Sequence, residues 1–289
     1  MELVLQYIVN GLLIGGVYAL SALSIVIIYK STQVFNFAVG EMMAAGMFIA
    51  WSAMQLGLPA LIAIPGAIAL MAGVGWLIER TSLRPLIGQP LIASIMATFA
   101  LLFILRSLML IIWRGQSSAY PDPLPGANWQ ISQITFSNEL TWTFVIAIIT
   151  VIAVVLIFQR TQVGLGMRAA AEHQQLAQAR GIPVKNMFSV TWMLSAAVCG
   201  IAGIFLSYRL GVSLENSTVG IAAFPAVLLG GLESIPGALI GGLIIGLSIS
   251  LTAGLISPAA AQIAPFVILL LILLIKTEGL FGLQRIERI

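Results

Sequence analysis

Gln159–Lys185 reads QRTQVGLGMRAAAEHQQLAQARGIPVK, the one long segment rich in charged and amide side chains between apolar runs. From Val163 to Ala179 its residues are good helix formers; Gly181 is placed to end that helix and Pro183 just beyond to prevent its resumption. The spacing therefore predicts one short surface helix. Leu165, Arg168, Ala169, Glu172 and Leu176 recur at three- and four-residue steps, giving a small apolar side with charges beside it. Such a face suits a groove on another protein. A merely solvated helix joining two membrane spans is the alternative.

What surrounds this segment is apolar. The chain of 289 residues is 60% hydrophobic and 8% charged, against about 25% charged in soluble domains. Apolar runs of about 18 to 25 residues match a hydrocarbon core of about 30 Å. The fold class is therefore all-α, a polytopic transmembrane helix bundle, because barrel strands would alternate apolar and polar side chains. Spans are expected near Leu5–Tyr29, Phe35–Leu56, Leu58–Ile78, Leu91–Trp113, Thr141–Phe158 and Phe188–Tyr208, with a last one near Ala260–Ile275. The first run is longer than the apolar core of a signal peptide and no small-residue cleavage site follows, so it reads as a retained span. Between 219 and 256, Gly230, Gly231, Pro236 and Gly237 interrupt the hydropathy. That predicts a broken or re-entrant pair and seven to nine membrane segments in all.

Basic residues orient the chain. If 159–187 is a cytoplasmic loop, Lys30, Arg80, Arg84, Arg160, Arg168, Arg180, Lys185, Lys276, Arg285 and Arg288 share its side, and only Arg114 and Arg209 face the other. The positive-inside rule then puts the amino terminus outside and the carboxyl terminus in the cytoplasm. The extracytoplasmic loop, about 114–140, carries Pro and Gly followed by Trp129, Ile131, Ile134 and Phe136, which suggests a turn and a small hairpin. No non-apolar segment, this loop included, is long enough for a soluble domain, so 1–289 reads as a single transmembrane domain.

The chemistry is sparse. No phosphate-binding loop occurs: Gly164 and Gly166 lack the lysine that reaches the phosphates. There is no nucleophile elbow or zinc-ligating pair of histidines, so an enzyme is not expected. Cys199 stands alone in an apolar run and His173 alone in the polar segment, which argues against a disulfide or a metal site. Gly11 with Gly15, Gly237 with Gly241 and Gly242 with Gly246 are spaced for close helix packing. The informative acid is Glu41, in VFNFAVGEMMAAG from Val34 to Gly46. It falls within the membrane or at its inner edge, where an ionisable group calls for a partner, a cavity or water. Asn36 and Glu41 are candidates for a translocation pathway or gate, or else a hydrogen-bonded pair stabilising the start of this helix. Arg106, inside another run, either partners Glu41 or reaches the outer interface near Trp113.

Together NGLLIGGVYALSALSIVIIY, VFNFAVGEMMAAG, RTQVGLGMRAAAEHQQLAQARGI and AFPAVLLGGLESIPGALIGGLIIG resemble the permeases of high-affinity branched-chain amino acid ABC importers, specifically their H-type membrane subunit. The resemblance spans nearly the whole chain. Val39 departs from it, since family members often carry histidine there, and this bears on substrate or fine tuning. The resemblance implies a bacterial inner-membrane protein paired with a second related permease. It further implies two cytoplasmic ATPase subunits, which hold ATP and Mg²⁺ while this chain binds no cofactor, and an extracytoplasmic solute-binding protein. Nucleic acid has no place among such partners. Ala169–Gly181 would be the ATPase-contacting segment. Branched-chain or related neutral amino acids would be the substrates, with urea, short amides or aromatic carboxylates as alternatives. Outside this class stands a secondary transporter or channel, whose ion path would need more intramembrane ionisable groups than Glu41 and Arg106.

Overall fold

The computed structural model describes residues 2–120, 129–131, 134–276 and 278–282. Arg285 and Arg288, and the loop tip containing Asn128, lie outside the described residues. The first helices are α1 (Glu2–Thr32), α2 (Val39–Gln55), α3 (Ala60–Ile78) and α4 (Leu91–Trp113), with a π turn over Glu79–Leu83 and a 3-10 turn over Arg84–Leu86 between the last two. A hairpin of β1 (Trp129–Ile131) and β2 (Ile134–Phe136) follows, antiparallel with Trp129 opposite Phe136. Then come α5 (Asn138–Arg160), α6 (Gln162–Glu172), α7 (Gln174–Ala179), α8 (Val184–Leu210), a 3-10 turn Leu214–Thr218, α9 (Val219–Gly230), α10 (Ile235–Leu255) and α11 (Pro258–Ile275). Among the described residues, α1, α3, α4, α5, α8, α10 and α11 are long and apolar enough to cross a membrane, with α3 continuing into the turns after it. The all-α bundle is thus observed, and the hairpin is tied to α1 by Gln6, whose amide exchanges hydrogen bonds with the Thr135 backbone at 2.7 and 2.8 Å.

The chain makes one arrangement twice. A long buried helix (α1 or α8), a link without α-helix, a short helix (α2 or α9), then a full-length pair (α3 and α4, or α10 and α11) appear in each half. In the first half, α1 lies along α10, and their small residues let the backbones touch. A Cβ on Gly11 or Gly15 would stand 2.8 Å from the Cα of Leu247 or Leu243. In the second half, α8 lies along α3 in the same way: a Cβ on Gly200 would stand 3.1 Å from Met71 Cγ, and one on Gly75 would meet the Trp192 carbonyl. The halves run in opposite directions, because α1 ends and α8 begins beside α6. There Lys30 lines a cavity with Arg168, and a Cβ on Gly166 would lie 2.7 Å from Met187 Sδ. A trace survives in the sequence: Asn36, Val39 and Gly40 recur as Asn216, Val219 and Gly220, 180 positions later.

The expected broken pair is α9 followed by α10. Twelve residues give α9 about 18 Å at about 1.5 Å per residue, short of a crossing, whereas α10 spans fully. Ser234 caps α10 by accepting from the Gly237 N–H at 3.0 Å, and Pro236 occupies the first turn, where no N–H is needed.

The polar segment differs from expectation. Instead of one helix over Val163–Ala179, α6 stops at Glu172 and α7 starts at Gln174, with His173 extended between them (φ −149°, ψ 99°). That kink re-aims the chain so that Ala170 and Ala177 form one apolar cluster with Val184 and Phe188 of α8, contacts that offset the interrupted helical ladder. Gly181 does terminate the segment, at φ +80°. Pro183 immediately precedes α8 and so opens the next helix.

Candidate functional site

The link from α1 to α2 sets the geometry. Gln33 takes a left-handed conformation (φ 58°), and residues 34–38 then run back into the bundle without helical structure. Thr98 of α4 donates to the Phe35 carbonyl at 3.0 Å, which satisfies a backbone group that lipid could not. Asn36 is buried, and its Oδ1 accepts from the Ala38 N–H at 3.0 Å, turning the chain into α2. By the time α2 begins, it has reached the start of α9. There Gly40 presses on the Ser217 carbonyl, and Gly220 on Gly40 itself; a Cβ at either position would overlap backbone.

Glu41 follows directly and is almost fully buried. Its Oε1 lies 3.6 Å from Nη1 of Arg106. Arg106 stands about 22 Å along α4 from Leu91 and about 10 Å before Trp113. Glu41 is therefore well inside the span, away from the end where α6 sits. Of the two positions expected from hydropathy, within the membrane or at its edge, the first fits; the second came from treating the segment from Phe35 as one continuous helix. Arg106 does partner Glu41, in the part of α4 nearer Trp113 than Leu91. The arginine is shared: Nη1 also donates to Ser217 Oγ at 3.4 Å, and Nη2 lies 3.5 Å from Glu215 Oε1. Glu215 and Ser217 escaped the sequence reading, although the repeat of Asn36, Val39 and Gly40 marks the stretch that contains them. On the Leu91 side of this group, Phe37 stacks between Phe99 and Phe224, with ring centroids 4.2 and 5.0 Å away.

The polar segment forms a second candidate surface. Leu165 and Leu176 are about 60% exposed (59% and 61%). Glu172 and Gly181 are exposed as well, and Arg168 is half-buried. Ala169, by contrast, is half-buried against the cluster of Ala170, Ala177 and Phe188, which also receives Ile87 from the turn between α3 and α4. The residues read as one docking face thus divide into outward leucines and an inward alanine. Beneath them, Glu79 accepts two hydrogen bonds from Arg84, both at 3.1 Å, and a third from Ser189 at 2.6 Å. This ties the end of α3 to the start of α8. On the other flank, Lys30 donates to the Glu233 carbonyl at 2.6 Å and shares a cavity with Arg168, so α6 abuts the turn between α9 and α10.

A bundle built from two opposed halves, with short helices meeting inside it and a polar segment at one end, has the form of a membrane transport component. The family described as "Branched-chain amino acid transport system / permease component" matches residues 7–275, and the chain belongs to it. It is similar to the high-affinity branched-chain amino acid transport system permease protein BraD of Pseudomonas aeruginosa, at 29% identity over 99% of this chain and 98% of that one. Likeness to the permease protein LivH of Escherichia coli is 27% over 99% and 97%. The probable branched-chain amino acid transport permease LivH of Methanocaldococcus jannaschii shares 30% over 96% and 93%. The chain is accordingly a permease component embedded in a membrane, a transport subunit and not an enzyme.

Proposed function

We infer that this chain forms the translocation pathway of a binding-protein-dependent importer for branched-chain or related neutral amino acids, driven by separate ATPase subunits. The observation that carries this reading is the pair of exposed leucines, Leu165 and Leu176, on a polar segment whose inner side packs on α8 and on the turn after α3. An ATPase seated there would hold ATP and Mg²⁺ itself. Its closure would push on α6 and α7, and the Glu79–Arg84–Ser189 link would pass that push to α3 and α8. Tilting of the halves then opens the pathway to alternate faces. Leu165, Arg168, Ala169, Glu172, Leu176 and Gly181 constitute the coupling segment, with Ala169 as its internal support. Asn36 and Glu41 belong to the pathway or its gate. A second related permease, two ATPases and an extracytoplasmic binding protein complete the assembly in a bacterial inner membrane, with the amino terminus outside and the carboxyl terminus in the cytoplasm.

The test follows from burial of charge. Leu176→Glu and Leu165→Glu place an unpaired carboxylate where the ATPase docks, so uptake and ATPase co-purification should fall together while the permease still inserts. Gln178→Ala, elsewhere on α7, should change neither. Co-purification and uptake unaffected by both leucine variants would sink the docking assignment, and failure to isolate any ATPase with the unaltered chain would sink the importer reading.

A further inference from the structure

Arg106 and its two carboxylates invite a question that the fold does not require. The side chain of Arg106 is 37% exposed and that of Glu215 79% exposed, whereas that of Glu41 is 7% exposed. An arginine and a carboxylate cannot stand open to lipid at this depth without large cost, so this face meets water or another polar surface. The contacts of the arginine are unequal in kind. Glu41 is locked beside the Gly40–Ser217 contact and fixes one end of the guanidinium, whereas Glu215 sits on the opposite terminal nitrogen from solvent. Glu215 also lines a cavity of about 650 Å³ with residues of α9, α10 and α11, beside the ion-pair group and not around it.

We propose that Arg106, Glu41 and Glu215 form a carboxylate-exchange site that takes the zwitterionic backbone of an amino acid during passage. The proposal rests on the importer reading above and adds the chemistry by which substrate is handled. One cation and two anions leave the group with one negative charge. A substrate carboxylate displaces Glu215 from Nη2 and forms charge-assisted hydrogen bonds with the guanidinium. The displaced Glu215 then stands beside the substrate ammonium and neutralises it. The exchange leaves every charge paired, so it requires no proton uptake. A carboxylate lacking an ammonium would instead meet the surplus negative charge and be repelled. Urea and simple amides offer neither charge. Selection at this point therefore favours zwitterions over anions and neutral amides.

The complete complex in proteoliposomes, with its binding protein and ATPases, provides the test, with labelled leucine as the probe. Because the binding protein is the same in every arm, differences between variants report on the permease. Arg106→Gln should lower uptake about tenfold or more, the size expected for losing a hydrogen bond to a charged group, and Arg106→Lys should restore part of it. Glu215→Gln, at an exposed position, should assemble normally and take up leucine more slowly. The decisive readout is inhibition by 4-methyl-2-oxopentanoate, which has the leucine side chain and carboxylate without the ammonium. It should inhibit uptake by Glu215→Gln, whose site is now neutral overall, and not uptake by the unaltered complex. Unchanged uptake by Arg106→Gln would overturn the proposal. So would loss of the second permease from both Arg106 variants, because that would make the arginine an assembly contact. A complex that carries no amino acid in any arm refutes the importer reading instead.

Discussion

The turn from α3 to α4 and the turn from α10 to α11 occupy corresponding places in the two halves but are held by different chemistry. In the first, buried Glu79 binds Arg84 and Ser189. In the second, Ser257 caps α11 by accepting from the Ala260 N–H at 3.1 Å, and Leu255 and Ile256 are left exposed. The difference follows what each turn touches. Ile87 of the first turn packs against the cluster beneath α6 and α7, so that turn bears on the polar segment. A shared packing scheme thus fixes where the helices run, while the role of each end decides how firmly it is fastened.

Four substitutions sharpen or break this comparison. Glu79→Ala leaves Arg84 and Ser189 without their acceptor and should cost about 3 kcal/mol, the lower end for a broken buried pair because Arg84 retains some contact with water. It should appear as the largest drop in the detergent-solubilised unfolding midpoint. A Glu79→Ala protein as stable as the parent would mean that the two turns do not differ. Next come Gly40→Val and Gly220→Val, at the contact shared by both halves. Each forces a Cβ into backbone and should cost about 1–3 kcal/mol, with similar losses of folded yield from either side. If only one of the two is harmful, the halves do not meet there as equals. Smallest is Ser257→Ala, which removes a helix cap and should cost about 1 kcal/mol. An effect matching that of Glu79→Ala would reverse the ranking.

Hydropathy located the helices well because burial in lipid imposes a length on each one; Leu91–Trp113 coincides with α4 at both ends. It failed where length says nothing. The kink at His173 lies within a run of uniformly good helix formers, and only the packing of Ala170 and Ala177 on α8 selects it. The depth of Glu41 was left between two positions for a related reason: the return of residues 34–38 into the bundle involves the hydrogen bond from Thr98 to Phe35, which no local pattern announces. The second carboxylate beside Arg106, Glu215, was hidden for want of the repeat. Once Asn216, Val219 and Gly220 are aligned with Asn36, Val39 and Gly40, Glu215 is seen to flank the same junction, whereas position 221 holds isoleucine where the first half has Glu41.

The glycine seam between α1 and α10 also governs the order in which the protein can be completed during synthesis. Chains are made from the amino end, and early segments settle before late ones exist. Glu41 meets Arg106 within the first half, so this charge finds its counterpart early. Gly11 and Gly15, however, are shaped to receive Leu247 and Leu243, which leave the ribosome long afterwards. Until then α1, the most enclosed of the spans, presents its small-residue groove to lipid. A nascent chain halted before Ile235 would therefore expose that groove to the bilayer and to whatever insertion or quality-control machinery recognises an unfilled helix face.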